Sequence, residues 1–169
     1  METGLILPVP EAEALVRDLR ARHDPNAALG APAHLTVLYP FRPWSTVRRS
    51  AIVRLKQVLR GVRPFEIRFA AIGRFPGVLW LAPEPGGPAR DLIGAVAEAF
   101  HECQPYGGRV ADPAPHLTVA MDKDEAVLDG VESILRARLT TPVQTRVEAL
   151  DLYLRTGQGW RQRRRFRLG

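Results

Sequence analysis

The sequence is short of cysteine and of long apolar segments, and each shortage excludes a class of protein. Cys103 is the single cysteine in 169 residues, so no internal disulfide and no cysteine-based zinc site can form. No run of about 18 apolar residues occurs, so we expect no transmembrane helix. The N-terminus carries an acid where a signal peptide needs a base, and its apolar stretch is short. The expected location is the cytoplasm.

Acidic residues are missing from the end of the chain. All 18 acids lie at or before Asp151, whereas six arginines follow it. Residues 1–154 therefore carry no net charge, and the whole excess of +6 comes from the last fifteen residues. This distribution indicates a local basic patch and not a generally basic protein.

The chain also lacks the glycine-rich motifs with which dinucleotide-binding and P-loop proteins hold phosphates. ATP-driven chemistry therefore has no visible basis, and we expect no cofactor and no metal site. The composition is that of a globular protein with a core, because 46% of the residues are hydrophobic and only 25% are charged.

Hydrophobic periodicity predicts the same order of elements twice. In the first half it predicts strands over 5–9, 34–39 and 65–70, and helices over 11–22 and 47–59. In the second half it predicts strands over 78–82, 116–121, 143–154 and 160–168, and helices over 88–100 and 125–139.

This repeated order predicts an α+β fold built as a bilobal internal duplication. We expect two mostly antiparallel sheets with helices on their outer faces around a central cleft. The chain is expected to form a single domain over 1–169, with lobe-like halves of roughly 1–75 and 76–169 and a boundary near 73–77. The expected oligomeric state is a monomer.

One tetrapeptide, His-Leu-Thr-Val, begins at His34 and again at His116, each time at the start of a predicted strand. Pro32 precedes the first copy, and Pro113 and Pro115 precede the second. Since residues i and i+2 of a strand share a face, the histidine and threonine of each copy point to one side. If the lobes are related by a pseudo-two-fold axis, the two polar faces converge across the cleft.

These residue types suit chemistry at a phosphate ester. His34 and His116 can act as base and acid near neutral pH, because imidazole titrates in that range. In-line displacement places the attacking and leaving groups on opposite sides of phosphorus, which two histidines from opposing lobes can serve. The hydroxyls of Thr36 and Thr118 can donate to the non-bridging oxygens.

At these residues the sequence resembles the 2H phosphoesterase superfamily, which comprises 2′-5′ RNA ligase-like proteins and 2′,3′-cyclic nucleotide phosphodiesterases. Both of its His-x-Thr-hydrophobic motifs are intact. The run His-Leu-Thr-Val-Leu-Tyr-Pro-Phe at 34–41 is similar to the compact bacterial branch. So are Leu-Tyr-Leu at 152–154, Gly-Gln-Gly-Trp at 157–160 and the closing Phe-Arg-Leu-Gly.

The resemblance implies a bilobal fold with a central cleft, and metal-free hydrolysis or transesterification of a phosphoester. It implies that His34, Thr36, His116 and Thr118 carry catalysis, with His116 as the base that activates water. The family name does not imply ATP-dependent joining, and the motifs do not identify the substrate.

Further residues are candidates for binding the substrate. Phe41 and Tyr153 are candidates for stacking a base, although aromatic side chains near strand ends more often fill the core. Alternation in the last strand places Arg161 and Arg163 with two other arginines on one face, where they can bind phosphates. The alternative for that arginine row is a solvated edge strand protected by its charge against aggregation.

The sequence therefore predicts a metal-independent phosphoric diester hydrolase with paired motifs facing a basic cleft. Its expected substrate is a 2′,3′-cyclic phosphate or a 2′-5′ linkage of RNA or a nucleotide, with no membrane partner. One alternative is an RNA-end-binding module without catalysis, which predicts binding that survives loss of either histidine. Another is an enzyme of the same chemistry that acts on a small nucleotide-derived metabolite.

Overall fold

The computed structural model describes residues 1–108 and 114–169, and that part of the chain contains eight strands and five helices. The strands are β1 (Thr3–Pro8), β2 (His34–Leu38), β3 (Phe65–Phe75), β4 (Val78–Glu84), β5 (Leu117–Met121), β6 (Val143–Val147), β7 (Ala149–Thr156) and β8 (Gly159–Arg167). The helices are α1 (Glu13–His23), α2 (Pro25–Ala28), α3 (Arg49–Arg60), α4 (Gly87–Ala99) and α5 (Glu125–Arg138). None of these described helices is long and apolar enough to span a membrane. The proline at 113, expected before the second motif, lies outside the described residues.

The strands form two four-stranded sheets in which every neighbouring pair is antiparallel. The first sheet has the order β2-β1-β7-β8, and the second has the order β5-β4-β3-β6. Each motif strand, β2 or β5, is therefore an edge strand paired to one inner strand. These two edge strands contact each other between the sheets. The arrangement confirms the predicted α+β fold with two antiparallel sheets around a cleft.

The long strand predicted over 143–154 is wrong, because the chain changes sheets within it. β6 pairs with β3 in the second sheet, whereas β7 pairs with β1 in the first. Glu148 separates the two strands. The alternation of apolar and polar residues changes phase at this point. Val143 and Val147 stand at odd-numbered positions before Glu148, whereas Leu150, Leu152 and Leu154 stand at even-numbered positions after it.

The two sheets do not correspond to the predicted halves 1–75 and 76–169. The expected boundary at 73–77 lies in the hairpin that joins β3 to β4 within one sheet. β7 and β8 come from the second half but complete the first sheet. The element order is duplicated, yet the C-terminal strands return to the N-terminal ones because β1 would otherwise have an unpaired edge.

Two helices connect the sheets reciprocally. α1 follows β1 of the first sheet but contacts β5 of the second, and α4 follows β4 of the second sheet but contacts β2 of the first. The buried apolar side chains of both sheets and of these helices form one continuous cluster. Each motif strand is thus supported from behind by a helix that follows a strand of the other sheet.

Candidate active site

The two motifs line one cavity of about 530 Å³ between the sheets. His34 and Thr36 enter it from β2, and Thr118 enters it from β5, with His116 just before that strand. The leucine and valine of each motif are buried on the opposite face. The period-2 alternation of a strand therefore places the polar residues as the sequence predicts.

Each histidine ring is oriented by a main-chain carbonyl two residues earlier. The Nδ1 atom of His34 lies 2.6 Å from the carbonyl oxygen of Pro32, and that of His116 lies 2.7 Å from the carbonyl oxygen of Ala114. A carbonyl oxygen can only accept, so Nδ1–H donates in both rings. The neutral ring then has an unprotonated Nε2, which is the nitrogen left for a ligand in the cleft.

Burial lowers the pKa of both imidazoles. Desolvation brings the pKa of His34 down to about 4; the Pro32 carbonyl opposes this shift and the positive charge of Arg20 adds to it. The pKa of His116 is also lowered, again by desolvation, with the Ala114 carbonyl opposing. Both rings are therefore neutral in the empty cleft near neutral pH.

A tyrosine that the sequence did not single out for catalysis joins the first motif. Tyr106 and Thr36 both line the cavity; burial raises the pKa of that tyrosine, and the side chain of Thr36 opposes the rise. Tyr106 has a positive φ of 51° and donates its main-chain N–H to the carbonyl oxygen of Tyr39 at 2.7 Å. A non-glycine residue in this region signals a constraint imposed by its surroundings. The loop conformation thus turns a second hydroxyl towards Thr36.

Five of the other described residues that line the cleft are aromatic. Tyr39, Tyr153 and Trp160 line it, and the rings of Tyr39 and Trp160 meet edge to face with centroids 5.7 Å apart. Phe41, the other predicted stacking residue, is only 4% exposed and packs against Phe100 in the core. The prediction for Phe41 is therefore wrong, whereas base stacking by Tyr153 stays a prediction.

The predicted basic cleft is also wrong for the part of the chain that the structure describes, because no lysine or arginine lines the cavity there. Arg161 and Arg163 lie outside it, with the Arg163 guanidinium carbon 5.7 Å from the centroid of the Trp44 ring. A bulge at Arg163 breaks the alternation of β8, since Leu152 pairs with Arg164 but Tyr153 pairs with Gln162.

The same bulge brings a different arginine to the cleft face of the first sheet. Asp151 lies two residues before Tyr153 and therefore shares its face. Arg165 donates twice to this carboxylate at 2.8 Å, and Asp151 is 1% exposed. Alternation places Arg165 on one face with Arg161 and Arg163, and the bulge separates them. The position of a bulge cannot be predicted from alternation alone.

The comparison with protein families decides the affiliation of the chain. The model of the 2′-5′ RNA ligase superfamily matches residues 8–159, which is most of its length. The chain belongs to the 2′-5′ RNA ligase superfamily. Among proteins of curated function, none matches it.

Solved structures share the fold of this superfamily member over almost its whole length. Escherichia coli LigT in complex with 3′-AMP is 18% identical, with a TM-score of 0.63 over 99% of this chain and 97% of that one. The protein TT0787 of Thermus thermophilus is 23% identical, with a TM-score of 0.62 over 99% and 98%. Kluyveromyces marxianus Usb1 is 13% identical, with a TM-score of 0.54 over 95% and 96%. Superfamily membership supports a phosphoesterase-type activity.

In this member of the 2′-5′ RNA ligase superfamily, aromatic rings hold the second histidine. His116 meets Phe75 edge to face at 5.2 Å between centroids, and Trp80 lies 6.0 Å away. Trp80 is paired with Thr118 on one neighbouring strand and with Gly73 on the other. A Cβ at position 73 would lie 2.4 Å from the Trp80 ring, so only glycine leaves room for this packing.

A buried ion pair links the two motifs. Arg20 of α1 is 2% exposed, and its Nη2 donates to Oδ2 of Asp24 at 2.8 Å. Its Nε donates to the main-chain oxygen of Thr118 at 3.1 Å, and its Nη1 donates to that of Ala31 at 3.3 Å. One guanidinium thus connects the second motif strand to the loop that leads into His34. Sequence periodicity places Arg20 on a helix but carries no signal of this role.

Replacing Arg20 with lysine should destabilise the protein strongly. A lysine keeps the charge but carries its three donors on a single nitrogen, so it cannot reach the acceptors that Nε, Nη1 and Nη2 of Arg20 serve, and acceptors lose donors in a buried site. We expect the free energy of unfolding in urea to fall by about 3 kcal/mol or more. The matched control is Arg17→Lys, one turn earlier on α1 and 78% exposed. Equal unfolding free energies for the two variants would contradict the linking role.

The depressed pKa of His34 predicts a stability loss in mild acid. The unfolded chain has a histidine with the ordinary pKa of 6.5, whereas the folded value is about 4, so protons bind preferentially to the unfolded state. Stability is therefore full above pH 6.5 and falls as the pH drops towards 4, by at most about 3 kcal/mol from this residue. Urea unfolding from pH 7.5 to 4.5 should show a shallower decline for His34→Asn than for the wild type. The exposed residue His101, changed to asparagine, is the control, and a parallel decline in all three proteins would contradict the prediction.

Proposed function

We propose that this protein is a metal-independent phosphoesterase that opens 2′,3′-cyclic phosphates or cleaves 2′-5′ linkages in RNA or nucleotides. The observation that carries the proposal is the pairing of His34 and His116 across one cleft, each with Nδ1 tied to a carbonyl. Two imidazoles with available Nε2 atoms provide both proton transfers that such a reaction needs.

The reaction balances with water as the only co-substrate. One neutral imidazole takes a proton from water while the water oxygen forms a bond to phosphorus. The bond between phosphorus and the leaving ribose oxygen breaks, and the other imidazole, in its protonated form, gives its Nε2 proton to that oxygen. The two rings end with exchanged protonation states, and proton exchange with solvent restores them.

The hydroxyls of the site stabilise the charge that builds on the phosphoryl oxygens. Thr36 and Thr118 come from the two opposing strands, so they can donate to the two non-bridging oxygens from opposite sides. Tyr106 lines the same cavity and adds another hydroxyl near Thr36. No main-chain shift is required for these donors, because they line the cavity already.

The lowered pKa values of His34 and His116 allow a bound substrate to change their protonation. A phosphodiester carries one negative charge, and an anion close to a histidine raises its pKa. Binding therefore favours the protonated state that the acid must have, without a permanent positive charge in the cleft. The neutral partner remains available as the base.

A small nucleotide ester is a second candidate substrate, and the cleft itself favours it. The cavity of about 530 Å³ has an aromatic wall, and no basic side chain lines its described part. Such a site suits one phosphoester and one stacked base better than several phosphates. E. coli LigT, which shares this fold, has been solved in complex with 3′-AMP, with ATP and with NADP+, and this supports a nucleotide as the ligand class.

The proposal predicts turnover that survives chelation and depends on both histidines. A 2′,3′-cyclic mononucleotide and an RNA oligomer with a cyclic phosphate end should be hydrolysed in excess EDTA. His34→Ala and His116→Ala should each lower kcat by about a hundredfold or more, because each removes one proton transfer. His101→Ala, at an exposed position outside the cleft, is the control and should match the wild type.

The same assay separates the rival functions. A high ratio of mononucleotide to oligomer turnover would favour the small-molecule role. Turnover that stops in EDTA, or that persists in both histidine variants, would refute the two-histidine mechanism. If the wild type turns over neither substrate and the variants bind RNA as tightly as it does, the protein is a binding module and the proposed activity is wrong.

A further inference from the structure

Two long segments of the chain contain basic residues and no acids. Residues 25–65 hold seven lysines and arginines, and residues 152–169 hold six, with no aspartate or glutamate in either. Together they carry more than half of the 24 basic residues of the protein. The first segment contains α3 and the second contains β8.

The fold places these two segments side by side. Arg163 near the middle of β8 lies over the ring of Trp44, which precedes α3. At the other end, Gly169 donates its N–H to the carbonyl oxygen of Leu59 in the last turn of α3, at 3.1 Å. β8 and α3 therefore run alongside each other in the same direction. β8 pairs only with β7, so no strand covers its other edge within the described residues.

Three of the four basic side chains of α3 lie away from the core and from α4; Arg54 is the exception. Ala51, Leu55 and Leu59 of α3 are buried. Arg54 donates to the carbonyl oxygen of Ala99 and so marks the side that faces α4. Helical spacing places Arg49, Lys56 and Arg60, seven and four residues apart, together on the side opposite Arg54.

Ion pairs leave most of these charges uncompensated. Glu102 forms ion pairs with both Arg42 and Arg54, Asp151 pairs with Arg165, and Glu2 contacts Arg155. The others are exposed and form no ion pair with the described residues. We call them the α3–β8 surface: Arg48, Arg49, Lys56, Arg60, Arg63, Arg161, Arg163, Arg164 and Arg167. Nine unpaired cations on β8, on α3 and beside α3 repel each other and attract a polyanion.

We propose that the α3–β8 surface binds the phosphate backbone of a nucleic acid strand whose end lies in the cleft. Its position relative to the cleft supports this partner. β8 begins beside Trp160, which lines the cavity, and continues for about 24 Å to Arg167 at the rise of an extended strand. An RNA strand that leaves the cleft along β8 passes several arginines in succession. Guanidinium groups bind phosphate oxygens well.

This division explains why the described part of the cleft has no basic lining. The cleft needs to hold only the single phosphoester that reacts, whereas the remaining phosphates lie on the outer surface. The placement of the strand end in the cleft rests on the proposed function, but binding by the surface does not. The two claims can therefore fail separately.

The test compares two triple variants that lose the same net charge. One changes Lys56, Arg60 and Arg63 of the surface to glutamine, and the other changes Arg17, Arg22 and Arg136 on α1 and α5. The probe is a labelled single-stranded RNA of about 12 nucleotides, with binding measured over a range of salt concentrations. We expect the surface variant to bind about tenfold more weakly or worse, with a salt slope lower by about 2, since each lost contact to a single strand lowers it by about 0.7. The control variant should bind like the wild type.

Equally weakened RNA binding in both variants would mean that only the net charge matters. Unchanged RNA binding in the surface variant would mean that RNA does not bind at the α3–β8 surface. Either result overturns the proposal. So does surface-dependent binding to anionic lipid vesicles without RNA binding. Matching urea unfolding of the two variants establishes that both are folded. If the wild type hydrolyses no cyclic phosphate but only the surface variant loses RNA affinity, the proposed activity fails and the surface assignment stands.

Discussion

The buried ion pair between Arg20 and Asp24 is the interaction on which the geometry of the cleft depends. It lies where α1, which follows the first sheet, reaches the edge strand of the second. A buried guanidinium must be fully hydrogen-bonded to be tolerated, and its partners here are the Asp24 carboxylate and the carbonyls of Thr118 and Ala31. The two motifs are thus held relative to each other by the Arg20 guanidinium, which cannot move without losing these hydrogen bonds. No ladder of hydrogen bonds joins these two edge strands, so this guanidinium supplies a polar link between their motifs in addition to the shared apolar core.

The rest of the site follows from this fixed separation and from the local chemistry of each motif. The carbonyls of Pro32 and Ala114 give both rings the same tautomer, and burial keeps both neutral until an anion arrives. The motif strands supply equivalent groups, but their surroundings differ. His116 lies among Phe75 and Trp80, whereas Thr36 has the hydroxyl of Tyr106. A duplicated fold therefore provides two similar groups in unlike environments, which is what separate acid and base roles require.

Features that depend on the local periodicity of apolar and polar residues could be predicted from the sequence. Features that depend on contacts between residues distant in the sequence could not. The strand spacing of His34 and Thr36 specified their shared face, and the repeated order of elements indicated two antiparallel sheets. The change of sheets at Glu148 coincides with a change of phase in the alternation, but that local signal does not identify the strands with which the two parts pair. The bulge at Arg163 likewise changes which arginines of β8 lie on the cleft face of the sheet. Phe41 is a core residue because it packs against Phe100, which is 59 positions away in the sequence. The role of Arg20 could not be predicted for the same reason, because the two carbonyl groups that it binds lie outside its own helix.

The central claim is that the two histidines act as one pair on one phosphate. Long-range proton–nitrogen NMR of the imidazoles, with and without 3′-AMP, tests it most directly, because it reports the tautomer and pKa of each ring. The account predicts Nδ1–H tautomers for His34 and His116 in the free protein, pKa values below the ordinary 6.5, and a rise of both values on binding. A response of only one ring, or opposite tautomers in the free protein, would contradict it.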